Sequence, residues 1–309
     1  MKKSLGFTIV FVILPIVLSD VSLFAHTIHN AALRGDIAQV HKLLDEGESV
    51  NSRDEKGWTP LHYAAAAGHD AVVKLLLDKR ASVDARDSDR ETPLHKASQL
   101  GRNSTVNLLL DRGASVNVQD NQGQTPLHKA GNAGIVKTLI NHGADIRSRD
   151  YRGRTPLHVA SAYGKEDVAK NLVKAGVAIS VRDSQGKTAA DLAGKKIKDK
   201  QMARRIRSFL DSQNKLATTL QEAAAIGDIA GIKTALKAGA PVNTPDNNGN
   251  TPLHLAVQSG NAQAVRYLLD VPTIKIRVQN NEGNIPIEEA INQSEMMDLF
   301  KKKLSVKVP

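Results

Sequence analysis

The chain contains no cysteine in 309 residues, and aromatic side chains make up only 3% of it. The first absence excludes disulfides, thiolate metal sites and a cysteine nucleophile. The second leaves any core to be built from small and aliphatic side chains. Apolar runs long enough to cross a bilayer are missing too. Charge is not scarce: 42 Lys and Arg stand against 32 Asp and Glu, a formal +10, with 24% of residues charged and 41% hydrophobic. Such a chain is too apolar to be wholly disordered, and long enough for one or two large cores or for an array of small ones.

The N-terminus reads as an address. Lys2 and Lys3 precede an apolar run from Leu5 to Leu18, broken by Gly6, Thr8 and Pro15, and small residues follow at Ser19, Ser22 and Ala25. A charged start, a short apolar middle and cleavage sites after Ser19 or Ala25 are the layout of a secretory signal peptide of bacterial type. The alternative is an uncleaved anchor, but about fourteen residues at ~1.5 Å each reach only ~21 Å, short of the ~30 Å hydrocarbon layer. Residues 1–25 are therefore set apart from the fold, and export is expected. The mature chain would be periplasmic or secreted, including delivery into a host cell.

Beyond the leader the chain repeats. Thr59-Pro60-Leu61-His62 returns as Thr92-Pro93-Leu94-His95 and Thr125-Pro126-Leu127-His128 at intervals of 33, then as Thr155-Pro156-Leu157-His158 after 30 and as Thr251-Pro252-Leu253-His254 further on. A worn copy begins at Thr188, and Leu220 to Thr251 matches Ile28 to Thr59 at a constant offset of 192. One unit can be read physically. Thr59 can cap a helix, and Pro60 loses no useful hydrogen bond at its first position. Leu61, Ala64 and Ala65 give that helix a face of small residues, and Gly68 can end it in a left-handed cap. Val72, Val73, Leu76 and Leu77 then recur at helical spacing and predict a second helix. Two such short helices are not stable alone, so the hairpins must stack.

On these residues the sequence resembles the ankyrin-repeat family. The resemblance covers nearly all of residues 27–304 and implies an all-α solenoid of stacked helix-turn-helix units with β-turn fingers, about nine units in all. The expected organisation is a leader (1–25), a first array (26–194), a basic helical cap or joint (195–215), a second array (216–304) and a tail (305–309). Whether the stack breaks at the joint or continues through it stays open. In the fourth unit Gly134 runs straight into Ile135, three residues short, which predicts that its second helix loses nearly a turn and that the array bends or loosens there. Arg90 stands where the pattern expects the finger glycine, so that turn must adopt another geometry or carry strain.

Candidate chemistry is sparse. The resemblance implies that His62, His95, His128, His158 and His254 each bond to the threonine of their own motif and to the backbone of the adjoining unit. The remaining histidines have no metal-ligand spacing. Residues Gly131 to Thr138 fail as a phosphate loop because two apolar residues separate the last glycine from Lys137. Asp84, Asp87 and Asp89 lack the glycine turn and distal glutamate of a calcium loop. No nucleophile elbow or dinucleotide fingerprint is present, so no enzyme and no cofactor is expected.

The resemblance also implies a non-enzymatic scaffold that binds a protein partner, of unidentified kind, along its fingers and first helices. Carried over by position, the contact candidates are Glu55, Lys56 and Trp58, then Gln99 and Leu100, Gln122 and Gln124, and Tyr151, Arg152, Arg154 and Tyr163. Trp58, Tyr151, Arg152, Arg154 and Tyr163 are the expected anchors, since tryptophan, tyrosine and arginine dominate interface energetics; Trp58 falls at an expected exposed position, with packing on a neighbouring finger as the alternative. The competing reading is an anionic-surface binder acting through Lys195, Lys196, Lys198, Lys200, Arg204, Arg205 and Arg207, offset only by Asp199. Against nucleic acid stand the absence of aromatics before Phe209 and the expected export. Against both stands the apolar face of Ile197, Met202, Ile206, Phe209 and Leu210, which reads as an amphipathic capping helix. Membrane contact would be peripheral, without spanning.

Overall fold

The computed structural model describes residues 27–305; the expected leader lies outside them, as do the last four residues of the tail. Sixteen helices and no strands occur among the described residues. They fall in two compact units, one ending at Asn121 and the other starting at Gln122.

The first unit holds three helical hairpins: α1 (Ile28–Arg34) with α2 (Ile37–Asp45), α3 (Pro60–Ala67) with α4 (Asp70–Asp78), and α5 (Pro93–Gln99) with α6 (Asn103–Asp111). First helices pack on first helices and second on second, α1 against α3 against α5 and α2 against α4 against α6. The small face of α3 permits this close approach: Leu61, Ala64 and Ala65 are fully buried, as are Val72, Val73 and Leu76 on α4. Gly68 closes α3 at φ 84°, the left-handed conformation its position requires.

The second unit opens with α7 (Pro126–Lys129) and α8 (Ala133–Asn141), followed by α9 (Pro156–Ala162) and α10 (Glu166–Lys174). Then come the 27-residue α11 (Lys200–Ile226) with α12 (Ile229–Lys237), α13 (Pro252–Gln258) with α14 (Ala262–Leu269), and α15 (Pro286–Glu289) with α16 (Ser294–Ser305). α11 packs against α9 and α10 as well as α12 and α13, so residues 200–226 form one helix through the expected joint and into the expected second array. Among the described residues no helix is long and apolar enough to cross a membrane.

The three-residue deletion has an effect opposite to the one expected. The first helix of that unit, α7, shrinks to four residues, whereas α8 keeps nine. The apolar stripe decides this: Ile135, Val136 and Leu139 of α8 are buried, while α7 has only a narrow face to lose. Asn132 caps the restored helix by accepting the Ile135 N–H at 3.0 Å. The shortened α7 leaves carbonyls at its C-terminal end, and Lys165 fills that gap. Its Nζ donates to the Lys129 and Ala130 carbonyls at 3.1 and 2.8 Å. In other units the residue at the same slot acts alike. His69 Nε2 donates to the Leu33 carbonyl at 3.0 Å, and Arg102 Nε to the Ala66 carbonyl at 2.9 Å. At these three joints, within the two units, a hairpin caps the first helix of its predecessor.

Arg90 resolves the expected dilemma in favour of strain: it keeps the finger geometry at φ 60°. Arg80, after α4, is left-handed as well, at φ 65°.

Candidate functional site

The Thr-Pro-Leu-His motif joins neighbouring hairpins. In the first copy the Thr59 N–H donates to His62 Nδ1 at 3.1 Å, with Thr59 Oγ1 2.9 Å from the same nitrogen. Since Nδ1 is an acceptor, Nε2 carries the proton and donates to the Glu91 carbonyl of the next finger at 3.1 Å. His128, His158 and His254 reach Arg154, Lys187 and Asn284 carbonyls at 3.0–3.1 Å in the same way. Burial pushes His62 down to about 4, against the opposing pull of the Glu91 carbonyl, and lowers His158 and His254 as well. His62, His158 and His254 are neutral joints.

A second recurring device sits in the fingers. An aspartate at the start of several of these turns accepts two backbone N–H groups on one oxygen: Asp54 from Lys56 and Trp58, Asp87 from Asp89 and Glu91, Asp150 from Arg152 and Arg154. What the other oxygen meets varies from unit to unit. Asp54 accepts the Tyr63 hydroxyl at 2.6 Å, and burial together with that carboxylate pushes the phenol upward. Asp87 pairs at 2.8 Å with Lys96, which also pairs with Glu91; all three are buried. Burial opposes ionisation of Asp150, but the Arg154 guanidinium, 2.6 Å away, outweighs it and holds the carboxyl below the usual carboxylate range.

This device corrects part of the expected contact surface. Gln124 and Arg154 are buried, because the slot before the motif threonine turns toward the finger aspartate; Gln124 Nε2 and the Arg154 guanidinium both reach Asp150 Oδ2. Trp58, in that slot too, is half-buried rather than exposed. Its ring lies 4.9 Å from Tyr63 and under the Lys96 ammonium, 4.4 Å from the ring centroid. Glu55, Lys56 and Gln99 are exposed in the first unit and Leu100 is half-buried.

In the second unit Gln122, Tyr151, Arg152 and Tyr163 are exposed, Tyr151 by 70% and Tyr163 by 49%. The Tyr151 ring nevertheless rests on the neighbouring finger. The Tyr151 backbone N–H donates to the Gln122 carbonyl at 3.0 Å, and the ring lies so close to Gly123, itself at φ 75°, that a Cβ there would meet it at 2.7 Å.

All seven residues of the basic segment are exposed. Two of its arginines also bond inside the fold, Arg205 to Glu166 at 3.1 Å and Arg207 to the Ala190 carbonyl at 3.2 Å. Ile206 and Leu210 of the opposite face are buried, with Ile197, Met202 and Phe209 half-buried. Asp84, the remaining acid of the crowded trio apart from exposed Asp89, accepts from Ser115. Among the described residues no group of three or more His, Asp or Glu side chains converges as a metal site would require.

The residues missed by sequence reasoning are Lys96 and the interhairpin donors His69, Arg102 and Lys165. Burial pushes Lys165 down to about 8, with Lys129 adding to it. Their signal was available: each donor directly follows the glycine that closes a first helix.

A family model described as Ankyrin repeats matches residues 28–120, 112–183 and 208–308. Similar stretches occur in several curated proteins. L-asparaginase of Dirofilaria immitis is 44% identical over 59 residues, 19% of this chain and 10% of that protein. Ankyrin repeat domain-containing protein 13C of Xenopus tropicalis is 38% identical over 66 residues, 21% and 13% of the two. The mitochondrial liver isoform of glutaminase of Mus musculus is 27% identical over 90 residues, 28% and 15%. The chain therefore spans only a small part of the length of these relatives.

Proposed function

Because the chain belongs to the ankyrin-repeat family, whose repeats generally mediate protein–protein interaction, we propose that it is an exported, non-enzymatic scaffold that binds a protein partner through finger tips and the ends of first helices. The observation that carries this reading is Tyr151. It is a large aromatic side chain, mostly in solvent yet lying close over Gly123, with exposed Arg152 beside it. A ring that rests against the fold on one side has fewer rotamers to lose on contact, and tyrosine and arginine are the residues that interfaces use as anchors. Export rests on the leader-like segment of Lys2 to Ala25.

The test is photo-crosslinking from a reactive residue placed at Gln122, beside Tyr151, in the native host. A specific adduct that unlabelled wild type competes away, and that Tyr151→Ala with Arg152→Ala does not, is expected. Equal competition by both would remove this surface from the proposal. Cell fractionation with N-terminal sequencing tests export; a full-length chain in the cytoplasm would overturn it.

A further inference from the structure

Successive fingers are normally joined by a backbone hydrogen bond near their tips. In the second unit Tyr151 N donates to the Gln122 carbonyl at 3.0 Å, Ser184 N to the Arg152 carbonyl at 2.9 Å, and Asn281 N to the Asn248 carbonyl at 3.0 Å. The series is interrupted once. The worn unit at Thr188 has no outgoing finger, because α11 takes the place of one, and among the described residues no backbone bond joins residues 183–187 to 246–250. The two sides meet instead through Ser180 Oγ and Asn247 Oδ1 at 3.3 Å. Beside this contact lies a cleft of about 540 Å³.

Arg147, Arg149 and Arg182 line this cleft. Backbone carbonyls steady all three: Arg147 donates to Gln279, Arg149 Nη1 to Arg182 at 3.1 Å, and Arg182 Nη1 to Gly186 at 2.8 Å. Among the described residues neither Arg147 nor Arg182 has a carboxylate partner. The acid in the lining is Asp246, and its Oδ1 already accepts the Asn248 and Asn250 N–H groups at 2.9 and 2.8 Å. Guanidinium groups held by one edge keep further N–H donors, in a fork that matches a carboxylate. The gap is the place of a missing extended segment, and its lining has an excess of positive charge.

We propose that this cleft binds an extended acidic peptide segment, seated where a finger is missing, with its carboxylates on Arg147 and Arg182. The site rests on the scaffold reading above and defines the chemistry of one partner segment, at a place separate from the Tyr151 tip.

Fluorescence anisotropy of fluorescein-labelled octaglutamate with the purified full chain tests it. Saturable binding is expected, weakened about tenfold or more by Arg147→Gln with Arg182→Gln, which is the loss of about two charge-assisted bonds. Replacing both by lysine should restore only part, because charge returns without the fork. Neutralising Lys195, Lys196 and Lys198 should leave affinity within about twofold. Absence of saturable octaglutamate binding would overturn the proposal. So would equal losses from the cleft and the Lys195 cluster, or an eight-nucleotide oligothymidylate bound as tightly and lost in parallel, both of which mark a general polyanion effect. Circular dichroism verifies that each variant is folded. Failure of the Tyr151 crosslink with octaglutamate binding intact would count against the tip surface alone.

Discussion

Acidification through the range where histidine titrates should weaken the first compact unit, and His62 sets the size of the effect. Its Nδ1 faces the Thr59 N–H at 3.1 Å, so a proton there would oppose one donor to another inside a fully buried site. The folded state therefore binds this proton less tightly than the unfolded one, with a pKa of about 4 against an ordinary 6.5. Stability is fully present above pH 6.5, falls as pH drops through the interval, and levels off below about 4. At 1.36 kcal/mol per unit the complete loss is about 3 kcal/mol from this residue, most of it incurred by pH 4.5. His158 and His254 push the second unit the same way, whereas Glu289, raised first by burial and then by Glu282, opposes them there. The assay is urea denaturation between pH 7.5 and 4.5 for wild type and His62→Gln, which cannot titrate, with hydrogen exchange of α3 to localise the change. His62→Gln should be weaker at neutral pH but flatter across the range. Parallel curves for the two proteins would refute the neutral-joint argument.

Lys96→Met should destabilise the first unit by about 3–5 kcal/mol, because it leaves Asp87 and Glu91 buried without their cation; thermal unfolding reads this, and a change under about 1 kcal/mol would count against the buried triad. Lys165→Ala uncovers two carbonyls at the end of α7 and should cost about 1–3 kcal/mol, with exchange rising in α7 rather than throughout the chain. Wild-type stability should in addition increase as pH rises from about 8 toward 10.5, since the folded Lys165 gives up its proton first, and Lys165→Ala should lose that increment. Arg90→Gly should stabilise by about 1 kcal/mol by removing a side chain from a left-handed turn, visible as a higher unfolding midpoint; an unchanged or lower one would mean that the Arg90 side chain contributes more than the strain costs.

Whatever depends on one hairpin was legible in the residues. The Thr-Pro start, the glycine stop and the Val72, Val73 and Leu76 stripe are local signals, and the helices follow them. Interhairpin relations were less so. Arg154 and Gln124 looked like finger-tip residues because their neighbours are, but their side chains answer to Asp150, which lies four residues from Arg154 and one repeat away from Gln124, and single-residue spacing does not tell solvent from such an internal partner. The deletion before Ile135 was visible, yet which helix absorbs it depends on the relative burial of two faces, and a single sequence does not weigh them. Arg80 went unnoticed for a plainer reason: the position after a second helix carries glycine in Gly113, Gly143, Gly176 and Gly239, and only comparison by slot exposes the exception.

The histidine slot indicates where the stack departs from regularity. His62, His128, His158 and His254 each bond a carbonyl of the next finger, and a residue there without a second donor nitrogen would leave that carbonyl unmet. In the worn unit the slot holds Asp191, whose carboxylate still caps its own turn by accepting the Thr188 N–H at 2.9 Å but can donate to nothing beyond. In the last unit it holds Glu288, which likewise accepts the Ile285 N–H at 2.8 Å. Both substitutions keep the half of the motif that closes a helix and drop the half that reaches a neighbour, and after Asp191 the 27-residue α11 stands in place of the next finger. The interruption after Thr188 is thus written into the motif itself: the chain stops offering a donor at the point where α11 replaces the finger. A cleft produced this way is as much a part of the fold as the repeats around it, and Arg147, Arg149 and Arg182 line it where that finger is missing.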